Sequence, residues 1–163
     1  MSQPVPPPGN PFAQGAEPFP QPPVAPAPPA RSNVGLGLVV ALVAALVAGG
    51  VYGGIAGAIE REIGWAAVGV GFLVGFASGK AGGRNPALPV VSAVLSLGAV
   101  YVGQLLAISI IGAKELNVSV TTLLFDHLDV VQAAWKEELG PMDFLFFGLA
   151  AFAAFSGSKK AAQ

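Results

Sequence analysis

The first long apolar segment, Val34 to Ile59, does most to limit the fold, because its 26 residues include no charged side chain. As an α-helix the segment would extend about 39 Å. This length exceeds the roughly 30 Å hydrocarbon core of a bilayer and leaves room for tilt. A cleaved signal peptide has a basic start and a much shorter apolar run. The segment therefore predicts a membrane-spanning helix.

Three further apolar segments follow, separated by polar stretches. We place the four spans at about 34–59, 63–80, 86–112 and 142–158. Asn85 and Pro86 suit the start of the third span, as N-cap and first helical residue. The chain is 53% hydrophobic and only 10% charged, whereas soluble domains are roughly 25% charged. The sequence predicts an all-α membrane protein whose four-helix transmembrane domain covers residues 33–160.

Residues 113–140 contain too many charged side chains to span lipid. Apolar residues nevertheless recur there at helical spacing: Val120, Leu124, Leu128, Val131 and Trp135. This pattern predicts an amphipathic helix at about 119–138, lying in the membrane interface between the third and fourth spans. Nearby, His127 stands between Asp126 and Asp129. Because neighbouring helical residues diverge by about 100°, we interpret it as a solvated surface histidine rather than a metal ligand.

The N-terminal residues 1–32 have a different composition from the rest of the chain. Residues 1–30 contain twelve of the fifteen prolines and one charged residue, Glu17. Such a segment cannot bury a core and is predicted to be a disordered, proline-rich tail. The spacing of its prolines fits PxxP docking motifs, but no basic residue precedes Arg31. A solvated spacer is therefore the favoured interpretation.

The distribution of charge predicts the orientation in the membrane. With four spans, one side carries five basic residues: Arg31, Lys80, Arg84, Lys159 and Lys160. The other side carries three: Arg61, Lys114 and Lys136. By the positive-inside rule the tail and the C-terminus are cytoplasmic. We expect a multi-pass protein of the cell (inner) membrane with an acidic outer surface.

Small residues repeat every fourth position along three of the predicted spans. The residues expected to pack helices together are Gly49, Gly53, Gly57, Gly71, Gly75, Gly79, Ser92, Ser96 and Gly103. Such stripes let helix backbones approach closely in lipid. We expect them to build the bundle within one chain, with homo-oligomer contacts as the alternative. A nucleotide-binding loop at GGVYGGIAG is rejected, because the segment is apolar, follows no strand and precedes no Lys-Ser or Lys-Thr pair.

Tyr52, Tyr101 and Gln104 are the sizeable polar side chains predicted deep in the spans. Tyr101 and Gln104 share a helix face at i, i+3 spacing. Polar groups at such depth suggest function by default, but a proton or ion relay would need an ionisable carrier. We expect interhelical hydrogen bonds instead, worth on the order of 1 kcal/mol each.

The segment YGGIAGAIEREIGWAAVGVGFLVGFASG, together with FDHLDVV and MDFLFFGLAAFAAF, resembles a family of uncharacterised small bacterial membrane proteins with four spans. The sharpest part of the resemblance is Glu62 to Trp65. Members often carry an N-terminal zinc ribbon with cysteines. This chain has no cysteine, so metal binding is not carried over. The resemblance implies the four-span topology and a bacterial cell membrane.

No catalytic, cofactor or metal site is predicted, and the near-zero net charge argues against a nucleic-acid partner. The leading hypothesis is a non-enzymatic scaffold or accessory subunit of a membrane complex, with the lipid bilayer and a complex partner or second copy as its contacts. One alternative is a small transporter or channel acting as an oligomer. Another is a lipid-directed enzyme, whose acid–base groups would have to come from Glu60, Glu62, His127 and Asp143.

Overall fold

The computed structural model describes residues 32–163, so nearly all of the predicted disordered tail lies outside the described residues. Five α-helices make up the described part: α1 Val34–Ile59, α2 Gly64–Gly82, α3 Ala87–Leu116, α4 Leu128–Glu138 and α5 Pro141–Ala161. A π-helical turn, Thr122–Asp126, precedes α4. The described residues contain no strand.

Four of these helices, α1, α2, α3 and α5, are long and apolar enough to cross a membrane. The prediction of an all-helical chain with four such helices is therefore confirmed for the described residues. The third and fourth spans are longer than predicted, since α3 has 30 residues and α5 has 21. In α3 the extension past Gly112 adds Lys114, whose ammonium group lies 3.2 Å from the Glu60 carboxylate.

The helix ends follow local hydrogen-bonding rules. The Asn33 side chain accepts a hydrogen bond from the Leu36 N–H at 3.1 Å, which caps α1. Helix α3 begins at Ala87, one residue later than predicted, and the Asn85 side chain accepts from the Ala87 N–H at 2.9 Å. Helix α1 ends at Ile59, and its C-cap residue Glu60 has a left-handed φ of 55° that turns the chain toward α2.

The order of the helices divides the bundle into two ends. The end of α1, the start of α2, the end of α3, all of α4 and the start of α5 lie together, and we call this the acidic end. It carries eight acidic residues: Glu60, Glu62, Glu115, Asp126, Asp129, Glu137, Glu138 and Asp143. The opposite end, the basic end, carries four basic residues: Lys80, Arg84, Lys159 and Lys160.

Helices α2 and α5 pack backbone against backbone. A Cβ atom added at Gly71, Gly75 or Gly79 would collide with a carbonyl oxygen of α5, and the three oxygens belong to Ala150, Ala154 and Ser158. Both helices therefore present small residues at the same four-residue spacing, so their axes approach closely along three turns.

Helices α1 and α3 use the same kind of contact. A Cβ at Gly49 would lie 2.6 Å from the Ala99 carbonyl oxygen, and one at Gly53 would collide with the Gly103 carbonyl oxygen. A Cβ built at Gly57 would lie 2.7 Å from the Ile110 Cβ, so Gly57 packs directly against Ile110. Thus Gly103 takes part in the contact with α1.

Ser92 and Ser96 are fully buried on α3. The Ser96 hydroxyl donates to the Ala93 carbonyl oxygen of its own helix at 2.8 Å. This bond stays within one helix, so Ser96 contributes to packing by being small rather than by bonding a neighbouring helix.

The predicted helix at 119–138 is not continuous in the structure. Its first half is wound as the π-helical turn, in which the His127 N–H bonds the Thr122 carbonyl oxygen at 3.2 Å. A bend at His127 then separates this turn from α4. The Ser119 hydroxyl, which accepts from the Thr122 N–H at 3.2 Å, fixes the start of the turn.

Candidate functional site

The turn between α1 and α2 places Glu62 beside the start of α5. Gly64 has no side chain, so the Phe146 ring of α5 packs directly against its backbone. The Trp65 ring meets the same Phe146 ring edge to face, with 5.5 Å between centroids. These contacts hold the start of α2 against the start of α5, where Asp143 lies three residues before Phe146.

Gln104 connects α4 to this turn through two hydrogen bonds. The Trp135 indole Nε1 donates to the Gln104 Oε1 at 2.8 Å, and the Gln104 Nε2 donates to the Glu62 Oε1 at 2.9 Å. The Gln104 side chain is only 6% exposed. Its buried amide is thus satisfied from both sides, and the bonds run from α4 through α3 to the α1–α2 turn.

Tyr101 supplies a second contact between α3 and α4. Its hydroxyl accepts a hydrogen bond from the Gln132 Nε2 at 3.2 Å. Its ring meets the Trp135 ring edge to face, with 4.8 Å between centroids. Tyr101 and Gln104 therefore both contact α4.

Tyr52 lies on the other side of Gln104. It is 5% exposed and its ring packs against Gly103, where a built Cβ would lie 2.6 Å from the Tyr52 Cδ1. The tyrosine side chain lies close to the Gln104 side chain. The three polar residues predicted deep in the spans therefore lie together, near the acidic end.

Apolar side chains hold α4 and the π-helical turn on α3. Val131 of α4 is 3% exposed and Leu123 of the turn is 6% exposed. They form one cluster with Leu105 and Ala113 of α3. The cluster fixes the position from which Trp135 and Gln132 reach α3.

The carboxyl groups of Asp143 and Glu138 both lie close enough to act on Glu62, where α4, α5 and the α1–α2 turn meet. The Glu62 and Asp143 carboxyls are within hydrogen-bonding reach, and Glu138 adds a further negative charge. Asp143 also accepts from the Gly140 N–H at 2.6 Å, which caps α5. Partial burial, followed by the negative charges of Asp143 and Glu138, raises the pKa of Glu62, while its hydrogen bond from Gln104 opposes this shift.

A cleft of about 220 Å³ opens beside this cluster. Its lining residues are Ala56, Glu60, Arg61, Glu62, Gln104, Ala107, Ile108, Ile111 and Glu138. One side of Glu62 stays exposed at the cleft. Within residues 32–163, no group of three or more His, Asp or Glu side chains is arranged to hold a metal ion. The arrangement suits proton exchange or a contact with a cationic group.

The candidate acid–base residues are only partly brought together. Glu62 meets Asp143, whereas Glu60 pairs with Lys114 at 3.2 Å. His127 is exposed at the bend before α4. These four residues therefore do not form one acid–base site.

Sequence reasoning missed the partners that α4 supplies, Gln132 and Trp135. A signal for them exists: Gln132 and Trp135 have the same i, i+3 spacing as Tyr101 and Gln104. Two polar pairs at equal spacing on two helices can bond in register when the helices pack side by side.

Comparison with protein-family models, curated proteins and solved structures found no match to this chain. The resemblance to small bacterial four-span membrane proteins remains a prediction.

Proposed function

We propose that this chain is a non-enzymatic multi-pass protein of the bacterial cell membrane, serving as a scaffold or accessory subunit of a membrane complex. The observation that carries the proposal is the unequal distribution of polar groups. The buried side chains of the described residues that carry a polar group are Tyr52, Gln104 and five serines, and none of them is an Asp, Glu, Lys, Arg or His. The ionisable groups are concentrated at the two ends of the bundle, where a partner can reach them.

The packing of the spans supports a scaffold over a transporter. Helix α2 lies backbone to backbone on α5, and α1 lies in the same way on α3. Such contacts leave little space for water between the paired helices. A proton relay through a single copy would also need ionisable groups in the interior.

The proposed orientation puts the basic end and the tail in the cytoplasm and the acidic end outside. Its support is the positive-inside rule, applied to Lys80, Arg84, Lys159 and Lys160 together with Arg31 of the tail. Helix α4 then lies at the outer membrane–water boundary. An acidic outer surface favours a partner with basic residues.

Crosslinking in intact membranes, followed by affinity purification of the chain, tests the scaffold proposal. Three forms are compared: the full chain, a chain lacking residues 1–30, and a chain whose tail keeps its composition in scrambled order. A partner that is recovered with the full chain and lost with the deletion supports the proposal. If the chain with the scrambled tail still recovers the partner, the tail acts as a spacer. If it no longer recovers the partner, the tail contains a docking motif.

Recovery of no specific protein by any of the three forms contradicts the scaffold proposal. Reconstitution into liposomes addresses the transporter alternative directly. Protein-dependent flux of protons, cations or small solutes would replace the scaffold proposal with a transport function.

A further inference from the structure

A cavity of about 480 Å³ lies at the basic end, between the α2–α3 turn and the end of α5. Its volume falls within the roughly 300–1,000 Å³ of small-molecule sites. We propose that this cavity binds the phosphate headgroup of an anionic phospholipid. The site is independent of the proposed scaffold function, because it needs no protein partner. The residues that carry the argument are Arg84, Asn85, Pro86, Pro89, Ser158 and Lys159, all of which line the cavity.

Arg84 supplies donors that suit a phosphate. Its Nε donates to the Ala162 carbonyl oxygen at 3.3 Å, which holds the side chain against the end of α5. Within residues 32–163 its guanidinium group forms no salt bridge, and its two terminal nitrogens form no hydrogen bond. Two parallel N–H donors of a guanidinium group match two phosphate oxygens.

Lys159 adds a second positive charge to the lining of the cavity. Its ammonium group lies 4.7 Å from the centroid of the Phe155 ring, a cation–π contact that leaves the charge unneutralised. All eight acidic side chains of the described residues lie at the acidic end. Even with a terminal carboxylate on Gln163, which also lines the cavity, Arg84 and Lys159 leave a net positive charge there.

Ser158 contributes a buried hydroxyl that has no partner. The residue is 1% exposed, and its hydroxyl forms no hydrogen bond within the described residues. Of the three buried serine hydroxyls in this condition, that of Ser158 belongs to a residue lining this cavity. Buried polar groups normally have a hydrogen-bond partner. An oxygen of a bound headgroup is a suitable acceptor for this hydroxyl.

The level of the cavity in the bundle favours a lipid over a soluble anion. Helices α2, α3 and α5 are long and apolar enough to span a bilayer, and each has an end here. The cavity therefore lies at the depth of the lipid headgroups. Pro86 and Pro89 give it an apolar surface against which the glycerol backbone of a lipid can pack. Basic pockets between spanning helices are typical sites for anionic headgroups.

The positive-inside rule accounts for basic residues at this end but not for a cavity between two of them. Two pairs of exposed residues separate the explanations. Lys159 lines the cavity and its neighbour Lys160 does not, and Arg84 lines it whereas Lys80 does not. A lipid site predicts that the lining member of each pair affects binding. A general attraction of the basic end to anionic lipid predicts equal effects within each pair.

Native mass spectrometry of the full chain, titrated with single lipids in detergent, measures the binding. The probes are phosphatidylglycerol and phosphatidylcholine with identical oleoyl chains, and we expect the anionic lipid to bind more tightly. Lys159→Gln should weaken its binding about fivefold, the factor implied by about 1 kcal/mol per basic residue. Lys160→Gln should leave it unchanged. Arg84→Gln should weaken it further than Lys159→Gln because paired donors are lost as well, while Lys80→Gln should have no effect.

Ala162→Trp tests the cavity without a change in charge. Ala162 lines the cavity, and an indole ring there would fill part of it, so we expect the preference for phosphatidylglycerol to disappear. Arg84→Gln also removes the hydrogen bond to the Ala162 carbonyl oxygen. If that variant does not fold, Lys159→Gln, set against Lys160→Gln, still decides the proposal.

Equal binding of the two lipids by the parent chain overturns the site. Equal effects of Lys159→Gln and Lys160→Gln also overturn it, because binding would then belong to the basic surface as a whole. Competition with glycerol 3-phosphate identifies the source of the phosphate. Retention of phosphatidylglycerol in the presence of an equal concentration of the soluble ester supports a lipid site, whereas its displacement would replace the lipid with a soluble phosphate ester.

Discussion

At the scale of single residues, Gln104 joins more parts of the molecule than any other polar side chain described above. Its amide oxygen accepts a hydrogen bond from Trp135 of α4, and its amide nitrogen donates one to Glu62 of the α1–α2 turn. The packed Tyr52 and Tyr101 rings lie close by. A glutamine here can serve as donor and acceptor at once, whereas a carboxylate could only accept.

Replacement of Gln104 by leucine should weaken the attachment of α4. Leucine preserves much of the volume but leaves the Trp135 indole N–H and Glu62 without their partner. An unsatisfied buried donor costs roughly 1–3 kcal/mol. Thermal unfolding in detergent, followed by circular dichroism, should show a lower midpoint, and Trp135 fluorescence in a Trp65→Phe background should shift to the red.

Gln132→Leu is the matched control for this prediction. This variant also replaces a glutamine with leucine, but the glutamine lies on α4. Its loss breaks a single hydrogen bond, the 3.2 Å contact with the Tyr101 hydroxyl. We expect a smaller effect than for Gln104→Leu. Equal effects of the two variants would mean that the link to Glu62 contributes nothing to α4 docking.

At this scale the sequence allowed only part of the candidate site to be predicted. The depth of Tyr52, Tyr101 and Gln104 followed from their place within apolar segments. Their partners on α4 did not, because a hydrogen bond between residues 31 positions apart depends on how α4 folds back onto α3. The meeting of Glu62 and Asp143 likewise required α2 to pack on α5, which hydropathy does not determine.

At the scale of helices and turns, apolar length fixed the spans, but the pairing of their faces came from three-dimensional packing. Gly49 and Gly53 face α3, whereas Gly50 and Gly54, at the same spacing one residue on, have no atom within 4 Å of a built Cβ. Spacing alone does not distinguish the two stripes. The π-helical turn was also missed, since it depends on local hydrogen bonds at Ser119 and Thr122 rather than on apolar periodicity.

A pair of glycine-to-alanine changes in α2 should separate packing from helix propensity. At Gly75 the added methyl collides with the Ala154 carbonyl oxygen, whereas at Gly69 nothing lies within 4 Å of a built Cβ. We expect Gly75→Ala to cost about 1–3 kcal/mol through overpacking. Gly69→Ala should be neutral or stabilise by up to about 1 kcal/mol.

Reversible unfolding in mixed detergent micelles measures both changes in free energy. Both variants change glycine to alanine within the same helix. Apart from the contact with α5, they differ mainly in how far the added methyl group is exposed to lipid. An equal loss of stability at Gly69 and Gly75 would contradict the close approach of α2 and α5.

At the scale of the whole molecule, charge divides the bundle into an acidic end and a basic end. Among the residues in the structure, the four basic side chains Lys80, Arg84, Lys159 and Lys160 lie opposite α4. The proposed orientation rests on this division and on a rule about basic residues in short loops. The structure adds that Arg84 also donates from Nε to the Ala162 carbonyl oxygen at 3.3 Å, which ties the α2–α3 turn to the end of α5.

Single-cysteine labelling in intact cells checks the proposed orientation. Glu137→Cys on α4 and Lys160→Cys at the end of α5 are both exposed in the structure. A membrane-impermeant maleimide should label Glu137→Cys before lysis and Lys160→Cys only after lysis, because the two positions are expected on opposite sides. The reverse pattern would place the acidic end in the cytoplasm, and early labelling of both would contradict the four-span topology.

The glycine contacts between α2 and α5 have a thermodynamic consequence. Gly71, Gly75 and Gly79 meet Ala150, Ala154 and Ser158 largely through backbone atoms. Glycine and alanine have no side-chain rotamers to lose on packing, so these helices associate without the entropy loss that a leucine-rich interface would bring. In lipid the hydrophobic effect does not favour helix association. An interface whose side chains lose little rotamer freedom can nevertheless form through dispersion forces alone.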